Sequence, residues 1–165
     1  MADPIQMLYN LLTDPDDGIV ITADDGSSQM GPNIGTPPTV DVKIHPYQQE
    51  DETQIPLVVI GPRTLATAQP LVGLSWTEIH ETIEIRVVTR TWDGGDFGFT
   101  SEGNSARNKL LENVRSIVKS AKSNPDGAYN FVYMRVIDPG TRNPDMPEGV
   151  PLYKTSMGVE VVWLE

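Results

Sequence analysis

The chain has no cysteine, which excludes disulfides, thiolate metal sites and thiol catalysis. It also lacks a long apolar run. The longest, Ile55 to Ile60, contains Pro56 and falls far short of the ~20 residues a membrane span needs. Met1-Ala2-Asp3-Pro4 has neither the basic start nor the apolar core of a secretion signal. The expectation is therefore a soluble protein made in a cytoplasm. Positive charge is scarce: 12 basic residues stand against 23 acidic ones, a net charge of −11. A protein that grips nucleic-acid phosphates needs a basic surface, so the chain as a whole is not expected to bind DNA. The imbalance is concentrated in residues 1–80, which hold 11 acids and two bases, Lys43 and Arg63. Residues 81–165 are nearly balanced, with 12 acids and 10 bases. Two origins of the acidity stay open, a functional surface and a high-salt host.

What is present is a length of 165 residues, enough for one core and one domain. The 14 glycines and 14 prolines leave room for long loops. Asp3-Pro4 starts a short helix: Asp caps free N–H groups and Pro suits the first helical position. Ile5, Leu8, Tyr9 and Leu12 give it one apolar face. Asp14-Pro15-Asp16-Asp17-Gly18 ends it, and Ile19–Thr22 is a short strand. Residues 23–38 are polar and full of breakers, the signature of a long loop.

Val40, Val42 and Ile44 alternate with polar residues as a strand, and Pro56–Ile60 is a second. A hairpin or a neighbouring pair is expected of them. Residues 61–76 are expected to be a connection carrying Leu65, Leu71, Val72, Leu74 and Trp76. Ile79–Thr91 alternates along its whole length; at ~3.3 Å per residue it reaches ~43 Å, so one end is expected to project. After a glycine-rich loop at 92–104, Leu110, Leu111, Val114, Ile117, Val118 and Ala121 form a broad helical stripe, with Ser105 a candidate N-cap. Tyr129–Ile137 and Tyr153–Leu164 are the last strands, separated by a proline-rich loop at 138–152. Strands in runs with two helices predict an α+β fold: a mainly antiparallel sheet of about five strands with both helices on one face.

Chemistry is sparse. His45 and His80 lack HExxH or HxH spacing, and no GxSxG elbow exists. Asp14–Asp25 misses the calcium-loop pattern, having Gly18 at the fifth position and Pro15 at the second. Asp93, Asp96 and Glu102 are the other acidic cluster, and Gly94, Gly95 and Gly98 match no nucleotide loop. No catalytic residue, metal or cofactor is assigned, and the chain is not expected to be an enzyme. The second helix carries Arg107, Lys109, Arg115, Lys119 and Lys122 against one acid, Glu112. Lysines and arginines at a helix C-terminus complement its dipole; the alternatives for the same stripe are contact with an acidic neighbouring subunit and direct nucleic-acid binding.

Three features point to assembly. Long polar loops carry isolated aromatics: Trp92, Phe97 and Phe99. The last strand, with Trp163, runs almost to the final residue and is expected to be an uncovered edge. Charge of opposite sign is segregated, which suits head-to-tail contacts between copies. Candidate contacts are therefore Trp92, Phe97, Phe99, Arg115, Lys119, Lys122 and Trp163. Asp16, Asp17, Asp24 and Asp25 are candidates for a channel wall or an acidic contact.

The layout resembles the tail terminator (tail completion, gpU-like) proteins of long-tailed bacteriophages and related archaeal viruses. The segments that carry the resemblance are MADPIQMLYNLL, VDVKI, PLVVI, IHETIEIRVVTRTW, SARNKLLENVRSIVKSA, YNFVYMRVI and YKTSMGVEVVWL. They cover nearly the whole chain. The resemblance implies a non-enzymatic virion protein of the tail or neck, assembled in the host cytoplasm. It implies a homohexameric ring that stops the growing tube, with the tail-tube protein and a head–tail connector or head-completion protein as partners. DNA would pass through its channel without specific binding. The alternatives are a tail-tube or head–tail adaptor protein of the same virus class, or a small acidic binding domain of cellular origin.

Overall fold

The structure, a computed structural model, describes residues 3–23, 25–26, 29–32, 40–47, 55–90, 103–121, 131–138 and 152–165. Its elements are α1 (Pro4–Leu12), β1 (Ile21–Thr22), β2 (Gln29–Gly31), β3 (Val40–Asp41), β4 (Lys43–Pro46), β5 (Leu57–Pro70), β6 (Thr77–Arg90), α2 (Gly103–Ser120), β7 (Phe131–Asp138) and β8 (Leu152–Leu164). They make an α+β fold with two mixed sheets, one ordered β1-β2-β3 and one ordered β4-β5-β6-β8-β7.

Helix α1 begins where the sequence requires. Asp3 Oδ1 accepts from the backbone N–H of Ile5 at 3.0 Å and of Gln6 at 3.3 Å, satisfying donors that a helix start leaves free. Ile5, Met7, Leu8 and Leu12 are buried. The helix ends in a turn in which the N–H groups of Asp16 and Asp17 donate to Asp14 Oδ1 at 2.8 and 2.9 Å. These bonds hold the Asp14 carboxyl below its ordinary pKa, the one from Asp17 foremost. Gly18 follows with no space for a side chain: a Cβ would lie 2.3 Å from the Asp14 carbonyl oxygen and 2.7 Å from that of Leu12.

In α2, Leu110, Leu111, Val114 and Val118 are buried as their stripe predicts, together with Ala106 and Arg107. The helix starts at Gly103, so Ser105 lies inside its first turn rather than capping it. Both helices pack on one face of the five-stranded sheet. There Val58 and Ile60 of β5, Ile83, Ile85 and Val87 of β6, and Met157, Val159 and Val161 of β8 meet the apolar helix residues in one core. The other face is mostly polar, with Val162 and a small cluster of Leu57, Val59 and Val88 against Ile55 as apolar exceptions. The three-stranded sheet is fastened to α2: Val20 N–H donates to Asn113 Oδ1 and Lys109 Nζ to the Thr22 carbonyl, both at 3.1 Å.

Several expectations change. The 40–44 strand is divided at Val42, whose N–H donates to the Gly31 carbonyl at 2.8 Å. The β3 half joins the small sheet and the β4 half the large one. β4 and β5 are parallel neighbours, Lys43 opposite Leu57 through Pro46 opposite Ile60, not a hairpin. β2 and β3 are also parallel, so the antiparallel expectation holds for β5, β6, β8 and β7 but not for the whole fold. The 23–38 loop contains β2, whose Met30 is fully buried. Residues 61–76 are not a connection: β5 continues to Pro70 because β6 offers a matching length of partner, and only a short turn joins the two. Gly61, at φ 121°, sits in the irregularity between Ile60 and Arg63, where a β-branched or bulky residue would be strained. Finally, β8 is not an edge: it lies between β6 and β7, hydrogen-bonded to both. Apart from residues 103–104, Asp138 and Leu152, the 92–104 and 138–152 segments lie outside the described residues.

Candidate assembly surface

The second half of β5 is the least covered part of the described molecule. β4 pairs only with Leu57–Ile60. From Arg63 to Pro70, β5 therefore pairs with β6 alone, and among the described residues no strand pairs along its outer edge. Most of this half is also solvent-exposed on both faces. Leu65 is 60% exposed and Leu74 63% exposed, and Val72 and Trp76 in the turn are exposed as well. Residues 64–77 carry no charged side chain, in a chain where 21% of residues are charged. Pro70 ends the strand and Pro62 sits at its bulge, positions that an outer strand tolerates.

Its base is anchored by charge. Glu81 lies on the helix-bearing face of β6 with its side chain 8% exposed, and Arg63 Nη2 donates to both of its carboxylate oxygens, at 2.7 and 2.8 Å. Arg63 Nη1 also approaches Asp3 Oδ1 at 3.9 Å. Tyr47, at φ 60° just past β4, donates its hydroxyl proton to Asp3 Oδ2. That bond holds the Tyr47 hydroxyl above its ordinary pKa. Asp3 thus joins the start of α1, the end of β4 and the exposed stretch of β5.

The bare face beside this stretch carries charge pairs, two along β6 and two across strands. His80 Nε2 meets Glu78 Oε1 at 2.7 Å and His80 Nδ1 meets Glu160 Oε1 at 3.5 Å. Arg135 Nε donates to Glu160 Oε2 at 2.5 Å, and Arg86 pairs with Glu84 at 3.2 Å. The Glu78 bond raises the His80 pKa above its ordinary value, against some loss from burial, and Glu160 adds to the rise. For Glu160, partial burial opposes ionisation, but the bonds from Arg135 and His80 outweigh it and hold the carboxyl below its usual value.

The sequence-derived candidates are scattered rather than gathered here. Trp163 is 4% exposed within the core, and its indole Nε1 is buried without a hydrogen-bond partner among the described residues; it has little surface to offer a neighbour. Arg115 pairs with Glu112 at 2.8 Å along its own helix, and Lys119 is exposed in the last turn of α2. The basic stripe is broken, because Arg107 is fully buried and Lys109 is bound to β1. Asp16, Asp17 and Asp25 are exposed in the stretch between α1 and β2. Trp92, Phe97, Phe99, Lys122 and Asp24 lie outside the described residues.

Sequence reasoning missed the exposed stretch because it took 61–76 for a linker. The signal was available: fourteen consecutive uncharged residues, with five large apolar side chains among them, in an acidic chain. A shallow groove between β1 and α2 is lined by Val20, Thr22, Asn108, Lys109 and Asn113. Its Asn113 and Lys109 are already used to hold β1, so it presents little free polar chemistry to a ligand. Among the described residues no three His, Asp or Glu side chains converge as a metal site, and no helix is long and apolar enough to cross a membrane. No protein-family model and no curated protein sequence matches the chain.

Proposed function

We propose that this chain is a structural assembly protein of the tail-terminator kind. Its copies close into a ring, stop the growth of a tail tube and dock the tube to the head-side connector, without catalysis and without a cofactor. DNA passes through the ring unbound, and the protein resides in the virion neck. The observation that carries this reading is the outer half of β5, a strand uncharged beyond Arg63, without a strand partner along its outer edge among the described residues and mostly exposed on both faces. Edges without charge stick to other chains unless a proper partner occupies them, so a surface like this suits a contact. The order of helices and strands supports the terminator reading through the resemblance of the sequence segments that form α1, β3 to β6, α2, β7 and β8.

A second reading, a polymerising tube subunit, is favoured by one feature. The apolar turn with Val72, Leu74 and Trp76 lies beyond the last β5–β6 pair, Pro70 with Thr77, where the next layer of a stack would meet it. Negative-stain electron microscopy separates the readings. Short rings from the purified chain, or rings that cap tubes when a tube protein is supplied, support the terminator. Long tubes from the chain alone support the tube subunit. Monomers in both preparations refute both.

A further inference from the structure

Two open edges lie at one level of the large sheet. Arg63–Pro70 of β5 pairs with Thr77–Ile83 of β6, Glu78–Ile83 of β6 with Val159–Leu164 of β8, and Gly158–Trp163 of β8 with Phe131–Asp138 of β7. These stretches form a four-stranded antiparallel band. On one side it ends at the uncovered part of β5, since β4 stops at Ile60. On the other it ends at β7, which pairs with β8 alone among the described residues. β7 has 8 residues, the same number as Arg63–Pro70.

Resting on the reading that copies of this chain assemble, we infer that the β5 edge at Arg63–Pro70 pairs with the β7 edge at Phe131–Asp138 of a second copy, joining neighbours head to tail through one continuous antiparallel sheet. Polarity permits it. Three successive antiparallel pairings make β5 and β7 run in opposite directions, so a second copy's β7 beside β5 continues the alternation of the band. Charge selects it. At −11 per chain, copies repel through most of their surface, and contact is cheapest where local charge vanishes. Residues 64–77 carry no charge, and Phe131–Asp138 carry one base and one acid, Arg135 and Asp138. Unlike edges that meet head to tail generate a ring when the rotation closes and a filament when it does not.

The geometry also orients the wall. Helices and the small sheet occupy one face, so their bulk belongs on the outside of a curved array and the bare face turns inward. The inner wall is then the His80–Glu160–Arg135 ladder, with its charges paired. Asp16 and Asp17, on the turn that leaves α1, lie on the outside, as docking surface rather than channel lining.

The absence of native cysteine makes the test clean. Thr67→Cys and Ile137→Cys are made as separate variants of different tagged size, mixed, and oxidised; the double variant is oxidised alone. The inference expects a mixed Thr67→Cys/Ile137→Cys disulfide and a ladder from the double variant that stops at one maximum size. Cross-strand partners lie within reach of a disulfide, and Arg135→Cys in place of Ile137→Cys covers a register shifted by two residues. Disulfides only between identical variants would overturn the head-to-tail pairing in favour of a two-fold one. Oligomers by light scattering without any of these cross-links would overturn the edge pairing yet leave the ring reading standing. A wild-type chain that stays monomeric alone and with a tube protein would end both. Leu65→Lys adds a charge to the edge and is expected to lower assembly at least tenfold in concentration while leaving the melting temperature of the monomer unchanged. Assembly unaffected by Leu65→Lys would also count against the pairing.

Discussion

Replacing Arg63 by Met removes the cationic partner of a nearly buried carboxylate and tests how the outer strand is held. Glu81 is 8% exposed and Arg63 is 34% exposed at the side chain. Water therefore reaches the guanidinium but hardly the carboxylate. Breaking a fully buried pair from one side costs about 3–5 kcal/mol, because it strands a charge. The exposure of Arg63 screens part of that attraction, which brings the expected loss to about 2 kcal/mol. Both oxygens are held by one nitrogen, Nη2, so the arrangement is not a two-nitrogen fork and the lower figure is appropriate. At this chain length the loss corresponds to a fall of about 4–8 °C in melting temperature. The decisive measurement is a double-mutant cycle in urea at fixed protein concentration, with Arg63→Met, Glu81→Leu and the pair combined. Glu81 faces Arg63 next to Ile83 and Val161, so Leu in its place meets apolar neighbours. The double variant is expected within about 1 kcal/mol of the wild type. An Arg63→Met loss below about 0.5 kcal/mol, or single effects that simply add in the double variant, would refute the view that this pair anchors β5 beyond the end of β4.

Two further outcomes are expected. Gly18→Ala forces a methyl group against the Asp14 and Leu12 carbonyl oxygens and should cost about 3 kcal/mol; thermal melting within a degree of wild type would contradict the close approach. His80 has a folded-state pKa raised above its ordinary value by Glu78, with Glu160 and Arg135 the other charges beside it. The stability it contributes is thus fully present below about pH 6.5 and fades as pH rises through the raised value. His80→Gln should flatten that part of the urea-midpoint profile, and an unchanged difference between wild type and variant on either side of the window would show that the Glu78 contact is not formed.

Much of the fold was legible because local signals and burial agreed. Asp3-Pro4 with Ile5, Leu8 and Leu12 specified α1, and the alternation from Ile79 specified β6. Position within the sheet was harder, since chain order does not set spatial order. For β8 a cue existed: Val161, Val162 and Trp163 follow one another without a polar break, the pattern of a strand inside a sheet rather than of an edge. Arg107 was similarly readable. It stands three and four residues before Leu110 and Leu111, on the apolar stripe rather than beside it. That the outer half of β5 is a strand was not legible from its own residues, because Gly61, Pro62 and Pro70 read as punctuation, although its lack of charge was. It is a strand through its pairing with β6, a case of tertiary context overriding local preference. Of the candidate surface, the exposed apolar residues were named by the sequence, but their union on one open edge required the register.

If copies of this acidic chain assemble as proposed, they face a conflict, since their like charge opposes the contact. The described residues resolve that conflict by position. Acids that are free to repel, such as Asp16 and Asp17, sit on the α1–β1 turn, whereas acids on the bare face of the sheet are matched by His80, Arg86 and Arg135. The two strand edges are left nearly neutral. Contact made this way should strengthen only modestly with salt, because little like charge is brought together at the edges themselves. A contact through the acidic turn would instead need salt to form at all. Assembly measured by light scattering from low to high sodium chloride therefore discriminates between the two surfaces. A near-flat dependence fits pairing of β5 with β7, and assembly that appears only at high salt points to the turn that carries Asp16 and Asp17.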